Sequence, residues 1–405
     1  MPMNAVQIAW RVLRGRERMK TATASREGIR PCLAVSLVFI ALGGTQGGWM
    51  ARIPAIRDQV GVDTAQWGLL SSSSAAGDLV AIVLITVLIG RVSTRLLSLA
   101  AAALVLLNAP VLAGASAVPA LVLGLTVWGL SATFLATPVN ALAVAVERHQ
   151  GRPLMSGFHA SYSVGVLAGG ALGTLAAATG VSPGVQMAIS SGVLGALLLA
   201  WSHWLPQDAP VPKEQRRPLS DRFTPQLVLL ACIAFLGAFA EGAASQWSSV
   251  YTADYLDEGA ALGAATYTSF SVAILACRLL GDRFAARLGR RGFLRLSLVT
   301  LALGMTLVVS LPALWPAVTG FVVAGLGIAC VLPSAIALAG RQPGVPAGEG
   351  VSVITIGQWP GFLLAGPAVG LLAGATSLRL ALGALIVSSL VAAVVARWVV
   401  VPGGS

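Results

Sequence analysis

An ionisable side chain in hydrocarbon costs at least ~2.5–3.5 kcal/mol on insertion scales, so one set deep in an apolar stretch is taken first as functional. Asp78 and Glu241 are such residues. Asp78 stands twelve residues into the apolar stretch 66–89, about 18 Å along a helix and near mid-bilayer. Glu241 stands in the stretch 225–251, nearer its outer side. A carboxylate there can take up and release a proton, because loss of water favours the neutral acid. Asn140, His159, Gln246 and Gln358 place further polar groups in other apolar stretches, and His159 adds an imidazole suited to proton transfer. Trp128, Trp247 and Trp359 supply flat rings able to line a solute cavity. Plainer uses stand beside each of these. Asp78 or His159 can simply bond a neighbouring helix, the tryptophans can pack in a core, and Arg52 can snorkel to the outer surface.

The same residue types do not assemble into an enzyme. No Ser-His-Asp set, HExxH or usable carboxylate pair is present, and His149, His159 and His203 are isolated from one another. No GxxxxGK[ST] phosphate loop occurs. Cys32, Cys232, Cys277 and Cys330 each stand alone in an apolar stretch, implying neither a metal site nor a disulfide framework. Neither enzymatic activity nor a cofactor is expected.

The elements that hold these residues follow from composition. The chain has 405 residues, 56% hydrophobic and only 10% charged, against about 25% charged for a soluble domain; an ordinary cytosolic enzyme and a disordered chain are excluded. A helix crosses a membrane with about 20 apolar residues. Twelve such stretches are predicted, at 31–50, 66–89, 96–115, 118–146, 155–179, 184–205, 225–251, 262–281, 293–311, 314–340, 350–375 and 377–400. Pro- and charge-rich residues 206–224 read as a linker that splits them six and six, the signature of a two-halved secondary transporter. The expected organisation is a basic segment 1–30, an N-terminal bundle 31–205, the linker 206–224, a C-terminal bundle 225–400 and a tail 401–405. Stretches three, six, nine and twelve hold no central acid or base, so they are expected to be scaffold while the others line a polar path. Gly165, Gly169, Gly170 and Gly173 allow close helix approach in the fifth. Pro360 and Pro367 make the eleventh bendable.

Basic residues orient the spans. Lys and Arg gather before the first stretch, after the second, fourth, sixth, eighth and tenth and at the end of the twelfth, leaving Arg52, Arg57 and Arg379 as exceptions among the 26. The positive-inside rule then places both termini in the cytoplasm of a cell inner-membrane protein. The formal charge of +11 is thus mostly topology, and nucleic-acid binding is excluded for want of a separate basic face. No small-residue cleavage site follows the first apolar run, so a removed signal peptide is not expected; Met19 opens a plausible shorter start. Trp49, Trp67, Trp201, Trp204 and Trp398 read as membrane-interface anchors.

Several segments, in order and at transporter spacing, carry a resemblance: NALAVAVER (140–148), LMSGFHASYSVG (154–165), EGAASQWSSVY (241–251), RLLGDRFAARLGRR (278–291), PGFLLAGPAVGLL (360–372) and SLRLAL (377–382). In these the chain resembles the major facilitator superfamily, in the bacterial branch related to fucose permease and poorly characterised inner-membrane permeases. The resemblance implies an all-α membrane protein, with twelve transmembrane helices in two pseudo-symmetric six-helix bundles that rock about a central site. It also implies cytoplasmic gates after the second and eighth helices. The second-half gate maps onto Arg278, Gly281, Asp282, Arg287, Gly289, Arg290 and Arg291. Ala286 stands where the family carries an aspartate, so Asp282 would supply the charge one turn earlier. In the first half Gly90 and Arg95 remain, but Thr94 and Leu97 replace the acid and a glycine. Glu147 and Arg148 at the end of the fourth helix complete the gate set.

The resulting mechanism couples protons bound by Glu241, Asp78 or His159 to a solute held near Asn140, Gln246, Trp247 and Gln358. Proton-coupled export of a small amphipathic molecule, such as a drug or secondary metabolite, is the leading expectation, because a tryptophan-lined and sparsely charged path suits loose apolar recognition. Proton-coupled uptake of a sugar or similar solute is the alternative, and a non-transporting receptor or assembly protein the third. The partners expected are the small-molecule substrate, protons and the bilayer, with the chain working as a monomer.

Overall fold

The computed structural model describes residues 29–62, 66, 70, 72–208, 218 and 220–401. Expectations that fall on the basic segment before residue 29, on Met19, Trp67, Lys213, Arg216 and Arg217, and on 402–405 lie outside the described residues.

Among the described residues twelve long helices form, in two sets of six: α1 (Ile29–Met50), α2 (Ser73–Leu88), α3 (Thr94–Ala113), α4 (Val118–Gln150), α5 (Met155–Ala178) and α6 (Pro183–Trp201), then α7 (Pro225–Val250), α8 (Gly259–Leu288), α9 (Arg290–Ser310), α10 (Leu314–Ala339), α11 (Ala347–Ala375) and α12 (Leu378–Val395). All but α2 and α8 are long and apolar enough to cross a membrane by length and composition. The described part of α2 is apolar but 16 residues long, and α8 runs for 30. Local chemistry sets their starts. Ser93, Thr224 and Ser377 accept amides three residues on, at the heads of α3, α7 and α12. Proline opens α4, α6 and α7, where its missing N–H costs nothing.

Helices in lipid gain little from burying apolar surface against one another, so small residues that bring backbones together decide the packing. A Cβ at Gly165 of α5 would come within 2.5 Å of the Ile40 carbonyl oxygen of α1, so these two helices touch along their backbones. Within the halves, α3 packs on α6 and α9 on α12; between them, α5 meets α8 and α2 meets α11. These equivalent pairs show the pseudo-symmetry directly.

The structure departs from the predictions in three elements and two side chains. A short helix, Ile53–Val60, precedes α2, and α8 continues seven residues beyond 281, to Leu288. The tenth helix is interrupted between Ile328 and Val331, which frees a carbonyl used below. Arg52 does not snorkel: it is buried and donates to the Val181 carbonyl at 2.7 Å and to Gln186 Oε1 at 3.5 Å. Trp49, expected as an interface anchor, is buried edge-on against Trp128 with ring centroids 5.6 Å apart, whereas Trp398 is exposed.

Candidate functional site

A cavity of about 430 Å³ opens between the two halves. Its walls come from α1, α4, α5, α7, α8, α10 and α11, and none of its lining residues lies on α3, α6, α9 or α12. Asn140, His159, Glu241, Gln246, Gln358 and Trp359, singled out from sequence, all line it. They are joined there by Gln46, Tyr162, Ser245 and Arg278. His159 Nε2 lies 3.2 Å from Asn140 Oδ1, and the Tyr162 hydroxyl donates to Gln46 Oε1, so the polar groups form linked pairs. An apolar wall of Phe39, Leu42, Leu332 and Phe362 faces the same space.

Arg278 organises the deep side of this cavity. Its Nη2 donates to Glu241 Oε1 at 3.0 Å, its Nη1 to Ser163 Oγ at 3.1 Å and its Nε to the Ala329 carbonyl at 3.1 Å. That carbonyl lies in the interruption of α10, where no helical amide claims it. One guanidinium therefore ties α7, α8 and α10 of the second bundle to α5 of the first. Its fixed planar fork suits this, since the donors leave in set directions. A buried pair of this kind is strong only while both charges persist; neutralising one leaves the other exposed to a large desolvation cost.

The two bundles are also locked at one end, where α1 begins, α12 ends and the arginine-rich turns gather. Glu147 is fully buried there. Its Oε1 lies 2.9 Å from Arg290 and 3.4 Å from Arg341, both of the second bundle. Its Oε2 accepts the Leu154 and Met155 amides at 2.8 and 3.1 Å. Asp282 of α8 reaches the same helix start from across the seam, accepting the Ser156 and Gly157 amides at 3.0 and 2.8 Å. Two carboxylates thus occupy the positive end of α5, where free N–H groups and the helix dipole favour negative charge. Arg148 donates to the Gly340 carbonyl and adds another strap between halves.

The Major Facilitator Superfamily sequence model matches residues 34–267. An uncharacterised transporter of Sinorhizobium fredii, y4wD, is 31% identical over 88% of this chain and 94% of its own length. The chain belongs to the Major Facilitator Superfamily. An uncharacterised MFS-type transporter of Yersinia pestis is 28% identical, covering 92% of this chain and 97% of its own. Membrane protein MosC of Rhizobium meliloti is 24% identical over 86% and 85%. Among solved structures, the transporter FucP in its outward conformation superposes with a TM-score of 0.79, covering 92% of this chain and 99% of that one at 14% identity. The human organic anion transporter MFSD10 gives 0.72 over 91% and 99%, also at 14%. The chain is accordingly a multi-pass membrane transporter of twelve helices in two six-helix bundles.

As a Major Facilitator Superfamily protein its site departs from the sequence expectation at several residues. Arg278, assigned to the gate, lies on the cavity wall with Glu241. Asp78 is outside the central cavity; it accepts the Thr133 hydroxyl at 2.7 Å and lines a separate cleft between α2 and α11. Trp128 packs on Trp49, and the Trp247 ring lies over α11 at Gly370, so neither lines the cavity. Gly281 does mark a close approach, since a Cβ there would stand 2.5 Å from Cys330 Sγ and 2.9 Å from Ser156 Oγ. Arg291 reaches the Val399 carbonyl within its own bundle. Arg287 is exposed, and Gly289 turns the chain from α8 into α9 with φ 72°. Gly90 has φ 80°, while Arg95 offers its backbone amide to Asp208 at 3.4 Å.

Near the first-half motif the structure holds a buried contact that sequence reading missed. Where α2 meets α11, Arg222 of the linker is buried, donates to the Thr86 carbonyl at 2.9 Å and lies 3.7 Å from Glu349. The linker also supplies Asp208, which caps α3 at the Thr94 amide. Gln46 and Tyr162 were missed too, although Gln46 stands in the first apolar stretch as plainly as Asn140, Gln246 and Gln358 stand in theirs. A glutamine facing a tyrosine from another helix is visible only in three dimensions.

Proposed function

We propose that this protein is a proton-coupled secondary transporter of a small hydroxyl-rich solute, such as a sugar, working by alternating access with the basic end of the bundles in the cytoplasm of a cell inner membrane. The observation that carries the reading is the convergence of Gln46, Asn140, His159, Tyr162, Gln246 and Gln358 with the Glu241–Arg278 pair on one cavity. The polar set gathered there is larger than the sequence had suggested, and several donors and acceptors around one space suit hydroxyls better than a plain lipophile. A fucose:proton symporter of E. coli shares the fold, with a TM-score of 0.76.

Coupling runs through Glu241. With the carboxylate ionised, Arg278 stays engaged and holds Ser163 across the bundle seam. A proton on Glu241 removes its partner's countercharge, frees the guanidinium toward the solute and loosens that tie. A proton can shift an equilibrium only by its differential affinity for the two states, and a carboxylate that has its arginine in one state and loses it in the other supplies such a difference.

Export of a small amphipathic molecule is favoured by one observation, the apolar wall of Phe39, Leu42, Leu332, Trp359 and Phe362. Proteoliposomes containing a pH dye separate the two. Protons moving in the same direction as an added sugar support the symporter. Proton movement evoked only by lipophilic compounds, and opposite in sign, overturns it in favour of export. In the supported case, Glu241→Gln vesicles show no solute-evoked proton signal.

A further inference from the structure

The second cleft, between α2 and α11, has a different chemistry from the central cavity. It measures about 220 Å³ and is lined by Ala75, Asp78, Leu79, Ile82, Trp359, Pro360, Phe362 and Leu363. Asp78 is the one charged residue of that lining, and none of the ion pairs among the described residues includes it. Among the described residues Glu147, Glu241 and Glu349 each lie beside an arginine, and Asp282 has two backbone amides. Asp78 has Thr133 instead.

The cleft also faces outward. Leu79 and Leu363, on its two lips, are 59% and 52% exposed, and the exposed residues beside them, Val80, Val83 and Leu364, are apolar as well. On a membrane helix such a surface meets acyl chains. Trp359 and Phe362 line this cleft and the central cavity alike, with ring centroids 6.2 Å apart, so they form the partition between the two. The buried indole N–H of Trp359 has no hydrogen-bond partner among the described residues.

We infer that the α2–α11 cleft is a second binding site, entered from the bilayer, for the ammonium head of a lipophilic amine. A carboxylate without a countercharge supplies the attraction, and two aromatic rings beside it supply the cation–π surface that ammonium groups select. The apolar lips take the amine's hydrocarbon part. The site is independent of the solute assigned to the central cavity, since that solute meets Glu241, Arg278 and the amides, not Asp78.

The probe is tritiated benzyldimethylhexylammonium, titrated onto the purified full-length protein in lipid nanodiscs, with empty nanodiscs subtracted for partition into lipid. Saturable binding is expected, with Asp78→Asn weakening it by about tenfold or more. The neutral carbon analogue, in which the nitrogen is replaced by carbon, is expected not to displace the probe. Leu363→Trp fills the cleft from its exposed lip, leaves the Asp78–Thr133 bond alone and is expected to weaken binding comparably, which keeps the test open if Asp78→Asn does not fold. Glu241→Gln, which removes the acid of the central cavity and leaves the lining of the cleft in place, is expected to weaken binding less than Asp78→Asn does. No saturable binding, or wild-type affinity in both Asp78→Asn and Leu363→Trp, overturns the proposal. So does equal loss in Glu241→Gln, which would place the cation in the central cavity.

Discussion

Arg278 and Glu241 stand one on α8 and one on α7, 3.0 Å apart, and the arginine's other amino group holds Ser163 of the opposite bundle at 3.1 Å. A proton on the glutamate is thus two bonds from a contact that spans the seam. Glu241→Gln keeps the shape and a hydrogen-bond acceptor for Arg278. It is expected to fold, with a melting temperature below that of the wild type because Arg278 keeps a buried charge without its counterion, and to lose proton-driven solute flux, as read with a pH dye in proteoliposomes. Arg278→Met is the harsher change, because it leaves a carboxylate buried without a countercharge. A loss of about 3–5 kcal/mol is expected, visible as a lower melting temperature in the same detergent, and a melting point equal to that of the wild type would contradict the pairing.

Glu147 carries the corresponding load at the basic end. Glu147→Gln removes the charge that Arg290 and Arg341 share while an amide oxygen still faces the Leu154 and Met155 amides. The bundles are expected to part more often at this end. Cysteines placed at exposed positions beside the seam then label faster with a membrane-impermeant maleimide applied from the side of the basic end; unchanged labelling would sink the assignment of Glu147 as a lock.

Gly281 lets α8 approach α5 and the second segment of α10. A valine there collides with Cys330 Sγ and Ser156 Oγ, and neither neighbour is free to retreat, because one is buried in α10 and the other in the first turn of α5. Gly281→Val is expected to fold yet fail to close the basic end, shown by increased maleimide access and by transport reduced at least tenfold. The Ala variant should lie between, as its added bulk is smaller.

Arg222 and Glu349 take a double-mutant cycle. Both are buried, so removing either leaves an uncompensated charge, at about 3–5 kcal/mol, whereas replacing both with methionine removes the two desolvation costs together. The double variant is expected to melt above either single one. Its transport should nonetheless fall below wild type, because the Thr86 carbonyl of α2 loses the arginine that joins the linker to the first bundle.

Much of the molecule was legible in its residues. Twelve apolar stretches, the six-plus-six split, the absence of α3, α6, α9 and α12 from the cavity wall and the place of Glu241 on it follow from hydrophobicity and from the cost of charge in lipid, which act locally along one helix. That the Arg-rich turns gather at one end follows in the same way. What sequence could not decide is which side chains meet. Arg278 and Asp282 lie four residues apart on α8, one turn along the same face, yet one serves the cavity and the other caps α5. Asp78 and Glu241 look alike as isolated acids; one has an arginine and a central cavity, the other a threonine and a lipid-facing cleft. Arg52, Arg222 and Trp49 were surface or linker residues by position and are buried in the fold. Hydrophobicity is a property of one segment and fixes where helices run, whereas a hydrogen bond or ion pair depends on two segments and the angle between them, which close helix packing alone sets.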